Sequence, residues 1–149
     1  MAPKGPEARY VEEPSMKVLG RLGWTTVDAF QETLGAQGTL GRDSQHDVVL
    51  THRQRFAMRK LNDDDVPDSA INEAIEVLTK DRSVMDRARA NREVYDLLRD
   101  GYRAEWTDDN GDKRNVTLRY LDLRDAANND LLAVRQMWVK GHLHSRRID

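Results

Sequence analysis

The chain contains no cysteine, which excludes a disulfide framework, a thiolate zinc site and a thiol nucleophile. Aromatic residues are scarce, with two Phe, three Trp and four Tyr. No apolar run approaches the roughly 18 residues of a membrane-spanning helix, so no membrane partner is expected. Net charge is small as well. Twenty-four Lys and Arg stand against 26 Asp and Glu, leaving −2. That balance excludes wholesale electrostatic attraction to nucleic acid, and any such contact must come from a local patch. The opening residues Met1–Tyr10 lack the apolar stretch of a secretory signal, which points to the cytoplasm. There is no phosphate-binding Gly-x-x-x-x-Gly-Lys-Ser/Thr loop and no nucleophile elbow around any serine.

What remains is a highly charged chain of 149 residues, the length of one ordinary domain. Leu, Ile, Val and Phe make up about a fifth of it, near the compositional border of disorder. Disorder also requires a large net charge, so a folded domain is expected.

Residues 1–10, with two Pro and one Gly, read as a flexible arm. Met16, Leu19 and Leu22 recur at three-residue steps and Gly23 follows as a stop; with Pro14 in the first turn, the helix should begin near Glu12 or Glu13. Trp24–Val27 reads as a short strand and residues 31–47 as a loop. A second helix is expected over Val48–Leu61. A third should be capped by Asp68 or Ser69, with Ile71, Ala74, Ile75 and Leu78 inward, and a fourth should span Val84–Arg99 with Gly101 as its stop. After Gly101 the period becomes two. Tyr102, Ala104 and Trp106 alternate with charges, Asn110-Gly111 marks a hairpin, and Val116, Leu118 and Tyr120 answer on the second strand. Leu131–Val139 reads as one further strand, and Ile148-Asp149 as the opening of another. Helices first and strands second give an α+β or α/β domain: N-terminal helices packed on an incomplete mixed sheet.

Several residues carry a longer pattern. Val11-Glu12 precedes Leu19, Leu22, Gly23 and Trp24; Leu61-Asn62, Pro67, Glu73-Ala74, Asn91 and Leu97 follow. The strongest stretch is Leu121-Asp122, then Asn128 to Val134, Gln136, Val139 and Gly141, leading to Arg146-Arg147 and Asp149. In order and spacing this resembles the N-terminal segment of the type I restriction enzyme R subunit, an ATP-driven DNA translocase and endonuclease polypeptide. The likeness runs from Val11 to Asp149.

The resemblance implies that residues 11–149 are the front part of a PD-(D/E)xK nuclease-like domain, incomplete at its C-terminal side. Asp149 takes the position of the first metal-binding carboxylate, with Mg²⁺ as cofactor. The second carboxylate and the lysine two positions after it would lie on a further strand. Glu12 matches the family's acidic residue on the first helix and becomes an outer metal ligand or a partner of one; helix N-termini also attract Glu for dipole reasons alone. Ile148 stands where the family has proline, and Arg135, Met137 and Trp138 depart from its usual choices around Gln136. The implied partners are DNA and the methyltransferase and specificity subunits of the same complex. The ATP of the parent protein would bind outside this chain, and the 149 residues alone are expected not to cleave DNA. The alternative function is a non-catalytic module that contacts DNA or protein.

Beside Asp149, Lys140, His142, His144, Arg146 and Arg147 form a basic run, and Lys140, Arg146 and Arg147 are the candidates for the DNA backbone. The same run also fits a solvated loop. Asp63-Asp64-Asp65 reads as helix capping and surface charge, and Asp108–Asp112 as a hairpin turn because it lacks the Glu that closes a calcium loop. Trp24, Trp106 and Trp138 are expected in the core or on a sheet face.

Overall fold

A computed structural model of the chain describes residues 7–141 and 144–148; Asp149 and His142 lie outside them. A π-helical turn Ala8–Glu12 runs into α1 (Glu13–Arg21). There follow β1 (Thr25–Asp28), α2 (Thr51–Leu61), α3 (Asp68–Thr79), α4 (Arg87–Asp100), β2 (Tyr102–Thr107) and β3 (Lys113–Leu118). A 3-10 turn Ala126–Asn128, β4 (Leu132–Arg135), β5 (Met137–Lys140) and β6 (Ser145–Ile148) complete the order. The mixture of helices and small sheets is compatible with α+β. Ala8–Tyr10, read from the sequence as part of the arm, are already helical.

The sheet is not one mixed layer. It is three two-stranded ladders: β1 with β4 parallel, β2 with β3 antiparallel and β5 with β6 antiparallel. The residues also fall into two compact units, one of Thr51–Asn129, the other of the chain up to Leu50 with the chain from Asp130 onward.

The 51–129 unit holds the apolar core. On α3, Ile71, Ala74 and Ile75 are buried at helical spacing, joined by Met58 from α2 and by Ala104, Leu118 and Tyr120 from the hairpin and its exit. Complete burial of a side chain such as Ile71 contributes about 1.5–3 kcal/mol. Tyr120 also donates its hydroxyl to the Ala74 carbonyl at 2.6 Å, so no polar atom of this ring is left unsatisfied. The Asp86 side chain accepts from the amides of Ala88 and Arg89 and so caps α4, which stops at Gly101 with φ +85°. The expected hairpin forms in register from Tyr102 opposite Leu118 to Thr107 opposite Lys113. Its turn is organised by Asp108, which accepts from the amides of Asn110 and Asp112 and from Arg114, while Gly111 supplies a positive φ.

Three helix starts differ from expectation, and the simplest is α4, which begins at Arg87 after its Asp86 cap rather than at Val84. α2 begins at Thr51 rather than Val48, and the Asp47 carbonyl ahead of it accepts from Arg42 Nη1 at 3.2 Å. The position before α3 is Pro67, whose side chain cannot cap; the Asp68 carboxylate pairs with Arg59 instead.

The other unit is built on polar burial. Among the described residues Ala29 is its fully buried apolar side chain, beside buried Glu12, Arg42 and Gln136. Arg42 makes a two-pronged pair with Glu32 and donates to the Trp138 carbonyl at 2.6 Å, fastening the 29–50 loop to β5. The Lys140 amide donates to the Gln45 carbonyl in the same seam.

Candidate functional site

Glu12 sits where the π-helical turn meets α1. Pro14 has no amide to continue an α ladder backward, so the wider turn precedes it and the regular helix starts after it. Although Glu12 occupies the N-cap position of α1, its carboxylate makes no cap hydrogen bond. It turns to the strands instead: Gln136 Nε2 donates to Glu12 Oε1 at 2.5 Å, and Arg135 Nη1 lies 3.5 Å from Glu12 Oε2.

Arg135 and Asp28 are register partners at the ends of β4 and β1, so both side chains share a face of the parallel ladder. The guanidinium donates through Nε and Nη2 to Asp28 Oδ2, at 3.1 and 2.5 Å. The ladder continues as the Ala29 amide donates to the Arg135 carbonyl at 3.0 Å. At the next residue it breaks. Gln136 has φ +58°, a left-handed conformation unfavourable for any residue with a Cβ, and it divides the expected Leu131–Val139 strand into β4 and β5. The buried bond from Gln136 to Glu12 compensates that strain. Two buried atoms of this cluster, Glu12 Oε2 and Arg135 Nη1, lack a hydrogen-bond partner.

The bend redirects β5 against β6, with Met137 opposite Ile148, Trp138 opposite Arg147, Val139 opposite Arg146 and Lys140 opposite Ser145. Opposed residues share a face, so Lys140, Arg147 and Trp138 lie on one side and Arg146 on the other with Met137, Val139 and Ile148. The three basic candidates are all exposed, but they do not form one patch. Arg147 stands over the Phe30 ring at 5.8 Å from its centroid, and Trp138 is 38% exposed on the Lys140 face.

Among the described residues no group of three or more His, Asp or Glu could hold a metal ion. Glu12 Oε2 is a hard oxygen of the kind Mg²⁺ takes, but it faces Arg135 Nη1 at 3.5 Å, and the described residues by themselves do not make a Mg²⁺ site. The Asp108 carboxylate is spent on its turn and on Arg114.

Arg135 and Asp28 were not singled out as a pair by the sequence, and the parallel ladder that joins them spans 107 positions. The only sequence signal was the departure at Arg135 beside Gln136.

Residues 6–149 match the family model described as Type I restriction enzyme R protein N terminus. The chain belongs to this family. It is also 31% identical over 139 residues to the Type I restriction enzyme HindI endonuclease subunit of Haemophilus influenzae. That alignment takes in 93% of this R-protein segment but 13% of the Haemophilus subunit, so the segment spans about an eighth of its curated relative. No solved structure matches it significantly.

Proposed function

We propose that this segment opens the nuclease module of a type I restriction R subunit, a PD-(D/E)xK-like unit that hydrolyses DNA phosphodiesters with Mg²⁺. The observation that carries this reading is the pairing of Ile148 with Met137 one residue beyond the buried Gln136–Glu12 bond. The strand that ends at Ile148 and the helical turn that presents Glu12 are thereby tied to the same two consecutive residues, Gln136 and Met137.

In this reading Asp149 is the first metal-binding carboxylate, and Glu12 supports it from the neighbouring shell. Bound Mg²⁺ would supply Lewis-acid activation of water and of the scissile phosphate. Lys140 and Arg147 on one face, and Arg146 on the other, meet the DNA backbone, where cations position the duplex without reading its sequence. ATP-driven translocation belongs to other parts of the subunit, and the methyltransferase and specificity subunits are its partners in the assembled enzyme.

The test uses the R polypeptide carrying this segment, assembled with those partners. Asp149→Ala is expected to abolish Mg²⁺-dependent cleavage while ATP consumption continues. Cleavage by that variant at the native rate would overturn the assignment and leave a non-catalytic DNA- or protein-contacting module. The 149 residues alone are expected to show no turnover of DNA.

A further inference from the structure

We propose that the outer face of α4 is a further surface for DNA, on which Arg87, Arg89 and Arg92 meet the phosphates of a duplex. The inference goes beyond the nuclease reading: it concerns the 51–129 unit, needs no metal, and shares with that reading only its polyanionic ligand.

α4 opens with arginine where a helix favours acid. Arg87 and Arg89 lie in its first turn, which holds no acidic residue, and Arg92 follows in the next. Cations at that end oppose the helix dipole, so these side chains lower the stability of the helix instead of supporting it. Asp86 accepts from the amides of Ala88 and Arg89, so the backbone donors of the cap are already occupied and the guanidiniums are what the surface presents. Spacing alone would neutralise two of them. Glu93 stands four residues after Arg89 and Asp96 four after Arg92, the separation at which helix side chains pair. The fold diverts both carboxylates. Glu93 is taken by Lys80 and by Arg82, the latter at 3.2 Å, and Asp96 by Arg99 at 3.1 Å. Among the described residues Arg87, Arg89 and Arg92 form no ion pair, and all three are exposed.

Periodicity gathers them. Leu97 and Leu98 pack against the apolar core, and at about 100° per residue Arg89, Arg92 and Tyr95 fall on the opposite side of the helix. Tyr95 is 59% exposed and carries Arg99 over its ring at 5.3 Å from the centroid, with Arg99 itself compensated by Asp96 and Asp100. A row of uncompensated guanidiniums beside a tyrosine hydroxyl matches the donors that meet phosphate oxygens. The exposed residues between the arginines are Ala88 and Asn91, too little apolar surface for the core of a protein interface, which favours a nucleic-acid backbone as the occupant. Such contacts position a duplex without reading its sequence.

The test titrates the 149-residue chain against a short fluorescein-labelled duplex at a series of salt concentrations, read by anisotropy. The triple variant Arg87→Gln, Arg89→Gln, Arg92→Gln is expected to bind about tenfold more weakly at low salt, whatever the duplex sequence. Its slope of log affinity against log salt should be shallower by roughly two to three. Lysine at the same three positions keeps the charge and should keep the slope. Arg103→Gln, Lys113→Gln, Arg124→Gln removes as much charge from exposed positions elsewhere in the unit and should leave the slope unchanged. The α4 glutamine variant should also melt at or above the native temperature, because it relieves the opposition to the dipole.

Absence of salt-dependent binding by the native chain overturns the proposal, as do equal slopes in the native chain and the α4 variant, or equal losses in the two glutamine sets. A lower melting temperature in the α4 variant would mean that the arginines support the fold, and overturns it as well. Loss of a partner subunit from the assembled enzyme, with duplex binding intact, would give the face to a protein and has the same effect. The nuclease reading fails separately: cleavage at the native rate by Asp149→Ala defeats that reading and leaves the α4 surface standing.

Discussion

Asp122 shows how much one carboxylate can organise. Its oxygens accept from the amides of Arg124 and Asp125 and from the Asn128 side chain, and its own amide is taken by Asn129 Oδ1. The Asn128 hydrogen bond, then the two amides, favour the ionised form and bring the carboxyl down to about 2. A carboxyl depressed on folding contributes stability that is present above its unfolded value of about 4 and lost as pH falls through about 2. Asp122→Asn is therefore expected to melt below the native protein at neutral pH, with the gap closing between about pH 4 and pH 2. Melting temperature against pH checks this, and a gap that stays constant counts against it. Arg42 is the buried counterpart. Removing one partner of a buried ion pair costs about 3–5 kcal/mol, so Arg42 is essential to its unit even if an apolar pair would serve as well.

At the scale of elements, local chemistry decides most boundaries. Gly101 ends α4 with φ +85°, and a Cβ there would lie 2.4 Å from the Leu118 carbonyl oxygen and 2.9 Å from Thr117 Cγ2. Gly101→Ala is accordingly expected to destabilise the chain by at least about 2 kcal/mol, read from urea unfolding. An unchanged midpoint would show that the backbone relaxes freely. Gly101, the Asn110-Gly111 turn and the Ile71, Ala74, Ile75 spacing on α3 were all legible in the sequence, because each rests on residues near one another in the chain. The break at Gln136 was not. Its φ of +58° is stabilised by Glu12, which is 124 positions away, and the run Leu131–Val139 carries no Gly or Pro to announce it. Of the candidate site, Glu12 and the basic residues were visible as residue types, whereas the Asp28–Arg135 clamp existed only in the register.

For the whole molecule, the two units are stabilised differently. Every buried member of the apolar cluster, from Met58 to Tyr120, lies within Thr51–Asn129. The other unit relies on Arg42–Glu32, Arg135–Asp28 and Gln136–Glu12. Residues 51–129 expressed alone are thus expected to retain helical circular dichroism and a cooperative thermal transition. A broad, non-cooperative melt of that fragment would show that its core is insufficient by itself.

That division also sets an order of events during synthesis. Glu12 is made 124 residues ahead of the glutamine that binds it, a delay of about 6–25 s at ordinary ribosome speeds. The contiguous 51–129 stretch emerges complete in the meantime and can fold while the first fifty residues still wait. A chaperone that captures nascent chains would find the front of this protein, not its middle, in need of shelter.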